Sequence, residues 1–171
     1  MATDKASIVW RGETLAARAA RVLASVCVPV VEVGFGVSGL PCMREDPPGA
    51  GPLAALVAGA RSLSGKGGPL VLLACDLPFV EAPVLQLLAE WPGAPTVIPV
   101  VDGRLQYVCA RYGPEALEHA AAALLAGEQA LRILGHGDHD ELGAEQWSAA
   151  GPPETFSDVD TPEDMIRLGL S

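Results

Sequence analysis

A short apolar run that ends in an acid and a proline constrains the fold of this sequence most strongly. Residues 70–74 read Leu-Val-Leu-Leu-Ala, and Asp76 and Pro78 follow closely. A strand without polar alternation is typical of a parallel sheet that is covered on both faces. In open α/β sheets ligands bind beyond the carboxyl ends of the strands, so Asp76 is a candidate site residue that could hold Mg²⁺. The alternative is that Asp76 only caps the following helix.

Helical and strand patterns alternate along the rest of the chain. We predict helices at residues 13–25, 53–62, 83–90, 115–126, 127–134 and 162–168, and strands at residues 28–33, 70–74, 96–101 and 105–111. Asp102 and Gly103 predict a hairpin between the last two strands, and residues 135–141 predict a polar loop. This alternation indicates a three-layer α/β fold with a mostly parallel sheet. We expect residues 1–171 to form a single domain.

The charge and the length of the apolar runs restrict the class of partner. The formal net charge of −10 disfavours binding to nucleic acid or to anionic lipid, although a bound cation would still permit a phosphorylated substrate. The apolar run at residues 69–75 is far shorter than a membrane-spanning helix needs, and no signal-peptide pattern opens the chain. We therefore expect a cytoplasmic protein that binds neither membrane nor nucleic acid.

A glycine-rich segment at residues 34–39 matches the GxGxxG pattern of dinucleotide-binding proteins and follows a predicted strand. Such a site also needs a helix that begins within the motif, so that its N-terminus faces the pyrophosphate. Pro41 follows the motif, and no helical pattern begins before Gly51. We interpret the segment as a connection and not as a nucleotide site.

Acidic residues cluster again near the end of the chain. Asp158 and Asp160 lie two apart in an extended segment, so they point to the same side and could share a cation. The competing interpretation is that these acids cap the next helix, with Thr161 as its N-cap. The segment that contains His136 and His139 is more typical of a solvated loop than of a metal site.

Six segments, taken in order, resemble one family, the molybdenum cofactor guanylyltransferases. Residues 1–6 resemble the end of the family's signature loop LAGGxSxRMGxDKA, and residues 10–15 resemble the stretch that follows it. Glu45 and Asp46, together with residues 51–54, resemble its acid and GPLA stretch, and residues 75–80 resemble its CDxPF motif. Residues 102–106 resemble its central hairpin, and residues 158–164 resemble its closing motif. The resemblance extends over the whole chain.

The resemblance implies a Rossmann-like nucleotidyltransferase that transfers GMP from GTP to molybdopterin, its two small-molecule substrates. It assigns Asp76 as a ligand of Mg²⁺ and Asp160 as a second ligand. Lys5 would contact the nucleotide phosphates and act with Asp76 in catalysis. Asp46 and the turn of Gly51, Pro52 and Leu53 would bind near the guanosine. A molybdoenzyme or another protein of cofactor biosynthesis is the protein partner that it suggests.

The sequence departs from the family at its start. The glycine-rich half of the signature loop and the strand before it, which is central to the family's sheet, are absent, so we expect weak or no catalysis by the 171-residue chain. Either the start was assigned inside the loop of a longer enzyme, or the chain is a non-catalytic homologue that binds molybdopterin or a partner protein. A cytidylyltransferase of the same family and other sugar-phosphate nucleotidyltransferases are further alternatives. The Gly51-Pro52-Leu53-Ala54 stretch favours the guanylyl branch.

Overall fold

Helices and strands alternate in the computed structural model, which describes residues 5–64, 67–159 and 162–169. The helices are α1 (Leu15–Ala24), α2 (Pro52–Ser62), α3 (Ala82–Ala89), α4 (Pro114–Leu125), α5 (Ala144–Trp147) and α6 (Pro162–Arg167), with 3₁₀ helices at Lys5–Ser7 and Leu131–His136. The strands are β1 (Val9–Trp10), β2 (Glu13–Thr14), β3 (Glu32–Val33), β4 (Cys42–Met43), β5 (Leu70–Leu73), β6 (Val97–Val101), β7 (Arg104–Leu105), β8 (Cys109–Tyr112) and β9 (Asp140–Leu142).

The central sheet is built around β8. This strand pairs antiparallel with β5 on one side and with β6 on the other, and β6 also pairs with β7 and β9. Because β5 and β6 both oppose β8, and β9 is parallel to β6, the strands β5, β6 and β9 run in one direction. In direction, β5, β6 and β9 therefore agree with the predicted mostly parallel arrangement. The strands β7 and β8 run the opposite way, so the pairings that they make are antiparallel.

Two apolar layers cover the faces of this sheet and produce the expected three-layer arrangement. Alternate residues of one strand point to opposite faces, so Val97 packs into one layer and its neighbour Ile98 into the other. The Ile98 layer contains Leu53, Leu56 and Val57 of α2, Ala120 and Ala123 of α4, and Leu131 and Leu134. The Val97 layer contains Val22 of α1, Leu85 and Leu88 of α3, Leu142 and Trp147. Each fully buried leucine contributes about 1.5–3 kcal/mol through the hydrophobic effect.

A hairpin precedes α1 and shortens the predicted helix. β1 and β2 pair antiparallel across a turn in which Arg11 and Gly12 have positive φ angles of 51° and 84°. The hydroxyl of Thr14 accepts a hydrogen bond of 3.1 Å from the N–H of Ala17 and caps α1. The helix predicted at residues 13–25 therefore begins at Leu15.

The strand predicted at residues 28–33 is largely wrong. β3 contains only Glu32 and Val33, and Val28 is 90% exposed. Pro29 interrupts the pattern because it has no N–H to donate to a neighbouring strand. Within the described residues β3 pairs with β4, in a parallel two-stranded sheet separate from the central one.

The hairpin predicted at Asp102 and Gly103 is confirmed, but the strand expected after it is divided. β7 returns along β6, with Leu105 opposite Val100. The chain then leaves this pairing and β8 enters between β5 and β6. The loop predicted at residues 135–141 also contains the start of β9.

One buried arginine joins β8 to the loop after α3. Arg111 is 5% exposed, and its guanidinium donates hydrogen bonds to four backbone carbonyl groups, those of Ala89, Trp91, Ala94 and Pro95, at 2.7–3.1 Å. A buried charge is tolerated when its donors are satisfied in this way. Arg111 therefore fixes the loop that carries the chain from α3 into β6.

No helix within the described ranges is both long enough and apolar enough to cross a membrane.

Candidate functional site

Asp76 lies beyond the carboxyl end of β5, the position at which the sequence predicts a ligand-binding acid. Its side chain is 25% exposed. Its backbone carbonyl accepts a hydrogen bond of 2.9 Å from the N–H of Val159, which is fully buried. This bond brings the second acidic motif of the sequence beside the first. Asp158 is exposed there, and Asp160, the second predicted metal ligand, lies outside the described residues.

Lys5 reaches the same place from the other end of the chain. It opens the 3₁₀ helix Lys5–Ser7, and its Nζ lies 3.5 Å from Oδ2 of Asp76. The two side chains are 40% and 25% exposed, so both remain accessible to a ligand. The structure thus brings together the two residues that were predicted to act in catalysis.

The chemistry of this pair suits a phosphate group and a hard cation. A lysine ammonium is a compact positive charge that can neutralise a phosphate oxygen. Mg²⁺ commonly keeps several waters and uses one or two protein carboxylates together with substrate phosphates. One accessible carboxylate, Asp76, meets that minimum. No group of three or more acidic, cysteine or histidine residues suited to a metal occurs in the part of the chain that the structure describes.

The predicted turn of Gly51, Pro52 and Leu53 forms the N-terminus of α2. Gly51 has a φ of 95°, and a Cβ there would approach the carbonyl oxygen of Gln129 to 3.2 Å. Pro52 is exposed. The side chain of Leu53 is fully buried, and its N–H donates to the carbonyl of Gln129 at 3.2 Å. Leu53 therefore packs in the core, and only the backbone of this turn and Pro52 could face a ligand.

Asp46 lies on a separate cleft. The cleft has a volume of about 380 Å³, and neither Lys5 nor Asp76 lines it. It is bordered by Met43, Arg44, Asp46, Ala54, Val57, Ala58, Arg61, Ser62 and Leu124. The structure thus places Asp46 beside α2 and α4, and the Lys5–Asp76 pair at the end of β5.

The glycine-rich segment at residues 34–39 encloses a carboxylate of the protein itself. Glu32 accepts hydrogen bonds from the backbone N–H groups of Gly36, Val37 and Ser38 at 2.7–3.2 Å, and from the hydroxyl of Ser38 at 2.6 Å. No helix begins within this segment; the next helix, α2, begins at Pro52. The interpretation of the motif as a connection is confirmed.

Asp140, at the end of the histidine-containing loop, makes structural contacts. Its Oδ2 accepts hydrogen bonds from the indole N–H of Trp91 at 2.8 Å and from the N–H of Ala94 at 2.7 Å. These bonds lower the pKa of Asp140 below its usual value, and the bond from Trp91 has the largest effect. Asp140 therefore acts with Arg111 in fixing the loop after α3.

Three residues around Asp76 were not identified from the sequence. Arg18 and Trp10 pack against the turn after Asp76, and the N–H of Val159 donates a hydrogen bond to the backbone of Asp76. The contacts join segments that are far apart in sequence, and the sequence contains no local signal for them. The apolar character of Trp10 and Val159 indicates burial, but not the segment that each residue touches.

Comparison with known proteins identifies the family. Residues 1–142 match the family described as "MobA-like NTP transferase domain". A protein of Opitutus terrae named "Probable molybdenum cofactor guanylyltransferase" is 33% identical over 141 residues, which is 77% of this chain and 69% of that protein. A protein of the same name from Mycobacterium tuberculosis is 29% identical over 145 residues, 78% of this chain and 72% of the relative.

Solved structures agree in fold. The molybdopterin-guanine dinucleotide biosynthesis protein A of Archaeoglobus fulgidus superposes with a TM-score of 0.76 and 22% identity, covering 96% of this chain and 88% of that one. The 2-C-methyl-D-erythritol 4-phosphate cytidylyltransferase of Thermus thermophilus gives a TM-score of 0.63 at 17% identity, covering 95% and 90%. These likenesses confirm the predicted Rossmann-like nucleotidyltransferase fold. With its family match over most of the sequence, the chain belongs to the MobA-like NTP transferase domain family, which is a family of nucleotidyltransferases.

Proposed function

We propose that this protein transfers GMP from GTP to molybdopterin. The observation that carries the proposal is the pairing of Lys5 with Asp76, 3.5 Å apart at the carboxyl end of β5, in a member of a nucleotidyltransferase family. The names of the relatives from Opitutus terrae and Mycobacterium tuberculosis support guanylyl transfer to this acceptor.

The reaction needs positioning and neutralisation of charge. The terminal phosphate of molybdopterin attacks the α-phosphorus of GTP, a new P–O bond forms, and the bond to the β-phosphate breaks with release of pyrophosphate. Negative charge accumulates on the phosphate oxygens, so fixed positive groups stabilise the transition state more than they stabilise the ground state. The ammonium of Lys5 is such a group and binds the triphosphate.

Asp76 is the residue that would hold Mg²⁺, together with Asp160 directly or through water. Bound there, the ion would supply Lewis-acid stabilisation of the phosphate charge. Asp76 also keeps Lys5 near the triphosphate through the ion pair between them. The turn that contains Asp76 is held by the hydrogen bond from the N–H of Val159 to the backbone carbonyl of Asp76.

The guanosine is assigned to Asp46, which lies on the cleft beside α2 and apart from the Lys5–Asp76 pair, and to the turn at Gly51 and Pro52 with the backbone of Leu53. Asp46 can accept hydrogen bonds from a base or a ribose. Gly51 matters through its conformation, since its positive φ of 95° sets the direction in which the chain enters α2. Leu53 contributes through packing because its side chain is buried.

The test is nucleotide binding to the purified 171-residue chain by calorimetry, with Mg²⁺, for GTP and CTP separately. We expect GTP to bind more tightly than CTP, and Asp76→Asn to weaken GTP binding by at least about tenfold, the effect of losing a charge-assisted contact. Asp102→Asn, an exposed aspartate at the hairpin turn, is the control because it removes the same charge where asparagine tolerates a positive φ. Pyrophosphate release with molybdopterin added then measures transfer.

The outcomes separate the candidate functions. Preference for CTP would overturn the guanylyl assignment in favour of the cytidylyltransferase branch. Binding of molybdopterin with no binding of either nucleotide would indicate the non-catalytic role. An unchanged affinity for GTP in Asp76→Asn would show that the Lys5–Asp76 pair is not the nucleotide site.

A further inference from the structure

One side chain of α1 connects the two segments that supply Lys5 and Asp76. The Nε of Arg18 donates a hydrogen bond of 2.5 Å to the backbone carbonyl of Pro78, two residues beyond Asp76. Pro78 is buried, and the side chain of Arg18 is only 15% exposed. A hydrogen bond from a charged donor is stronger in such an environment than in water. Arg18 therefore holds the turn that contains Asp76 through the carbonyl of Pro78.

The same guanidinium also contacts the segment that follows Lys5. Its central carbon lies 4.8 Å from the centre of the Trp10 ring, and Trp10 is 5% exposed. Trp10 packs in turn against Phe79, with 5.5 Å between the ring centres and an edge-to-face angle of 64°. The hairpin after Lys5 and the turn after Asp76 thus meet at Trp10 and Phe79, with Arg18 bonded to one segment and stacked on the other.

Glu13 fixes the direction of Arg18. Its Oε1 lies 3.7 Å from Nη1 of Arg18 and also accepts a hydrogen bond from Arg21, at 2.5 Å. Glu13 belongs to β2 of the hairpin, directly opposite Trp10. The carboxylate and the indole ring therefore both contact the guanidinium whose Nε is bonded to Pro78.

We propose that Arg18 is a positioning residue that sets the placement of Asp76 relative to Lys5. The inference rests on the proposed function, because it concerns the same phosphate-binding pair. Arg18 acts through the backbone of the turn at residues 76–79 and not by touching substrate or metal. A small displacement of that turn changes the distance between Lys5 and Asp76, and misplacement by about 1 Å can reduce a rate about 100-fold.

The experiment compares Arg18→Gln and Arg18→Lys with Arg21→Gln. Arg21 is the matched control because it lies on the same helix and shares the carboxylate of Glu13, yet within the described residues its side chain bonds to Glu13 alone. Two properties are measured for each variant: the affinity for GTP with Mg²⁺ by calorimetry, and the backbone amide signals of residues 75–77 and 79 in an ¹H–¹⁵N spectrum. Thermal unfolding is followed in parallel.

We expect Arg18→Gln to shift the amide signals of the turn and to weaken GTP binding by less than about tenfold, a smaller loss than in Asp76→Asn. Arg18→Lys should recover part of the affinity, since an ammonium can still reach a carbonyl. Arg21→Gln should leave the turn signals in place and the affinity within about twofold, whatever it does to stability.

Three outcomes overturn the proposal. They are unchanged turn signals in both Arg18 variants, a loss of affinity as large in Arg21→Gln as in Arg18→Gln, and a loss of affinity that follows the unfolding temperature in all variants. If the unaltered protein binds no nucleotide, the proposed function fails, while the amide signals still decide whether Arg18 positions Asp76. If Arg18→Gln does not fold, Arg18→Lys decides by the same two measurements.

Discussion

The ammonium nitrogen of Lys5 lies 3.5 Å from Oδ2 of Asp76, although the two residues are 71 positions apart in sequence. Both side chains are partly exposed, at 40% and 25%. A solvent-exposed ion pair contributes only about 0–1 kcal/mol to stability. The pair therefore contributes little to stability, and its two charges remain accessible to a ligand.

The first prediction separates the effect of Lys5 on stability from its effect on GTP binding. Lys5→Gln should change the free energy of unfolding by less than about 1 kcal/mol, and should weaken GTP binding by about tenfold or more because a charge-assisted contact with phosphate is lost. Lys5→Arg should retain more affinity, since it keeps the positive charge. Urea unfolding and calorimetry measure the two effects. Arg132→Gln, at an exposed position, controls for net charge, and an equal loss of affinity there would contradict a specific role for Lys5.

Local sequence patterns predicted the position of Asp76 beyond the end of β5 correctly, because that strand has a local signature. The run at residues 70–74 corresponds to β5 within one residue, and the acid follows it as expected. The helices α2 and α4 also begin within one residue of their predicted starts. Periodicity and proline positions are properties of neighbouring residues, so they are visible without the fold.

The parts that could not be predicted depend on contacts between distant segments. Nothing local indicates that β8 enters between β5 and β6, because the order of strands is set by packing of the whole sheet. The bonds of Arg18 to Pro78 and of Val159 to Asp76 are of the same kind. The sequence therefore predicts one acid of the site, but not the residues that hold it.

The second prediction concerns Arg111, whose guanidinium satisfies four backbone carbonyl groups. Arg111→Lys keeps the charge but cannot reproduce the planar fork of donors, so some of the four carbonyl groups lose their partner. We expect a loss of about 2–4 kcal/mol in unfolding free energy. Urea unfolding measures it, with exposed Arg132→Lys expected to stay within about 0.5 kcal/mol. Equal stability of the two variants would show that the four bonds contribute nothing.

The third prediction concerns Gly93, next to the contacts of Asp140. A Cβ at Gly93 would collide with Oδ2 of Asp140 and approach Nε1 of Trp91 to 2.8 Å. Gly93→Ala should therefore displace the carboxylate and destabilise the protein by about 1–3 kcal/mol. Gly137→Ala is the control, since its nearest contact, with the carbonyl of Leu134, is an ordinary 3.6 Å. In an Asp140→Ala background the cost of Gly93→Ala should shrink, and an unchanged cost would point to a different cause.

The last prediction concerns Glu32 and the dependence of stability on pH. Burial raises the pKa of Glu32, but the hydrogen bonds from Ser38 and from the N–H groups of Gly36 and Val37 outweigh it, so the pKa is lowered from the usual 4.5. A carboxylate whose pKa is lowered by folding stabilises the native state above its unfolded pKa. That contribution is lost as the pH falls through the lower, folded value.

Glu32→Gln should therefore destabilise the protein at pH 7 by roughly 1 kcal/mol, since a neutral amide accepts fewer and weaker hydrogen bonds. The difference between the variant and the unaltered protein should begin to narrow below about pH 5 and be smallest below the folded pKa, where Glu32 is itself neutral. Urea unfolding at pH 7, 5 and 3.5 measures this, with Glu118→Gln, an exposed position on α4, as the control. A difference that stays constant over this range would mean that the segment at residues 34–39 does not depend on the charge of Glu32.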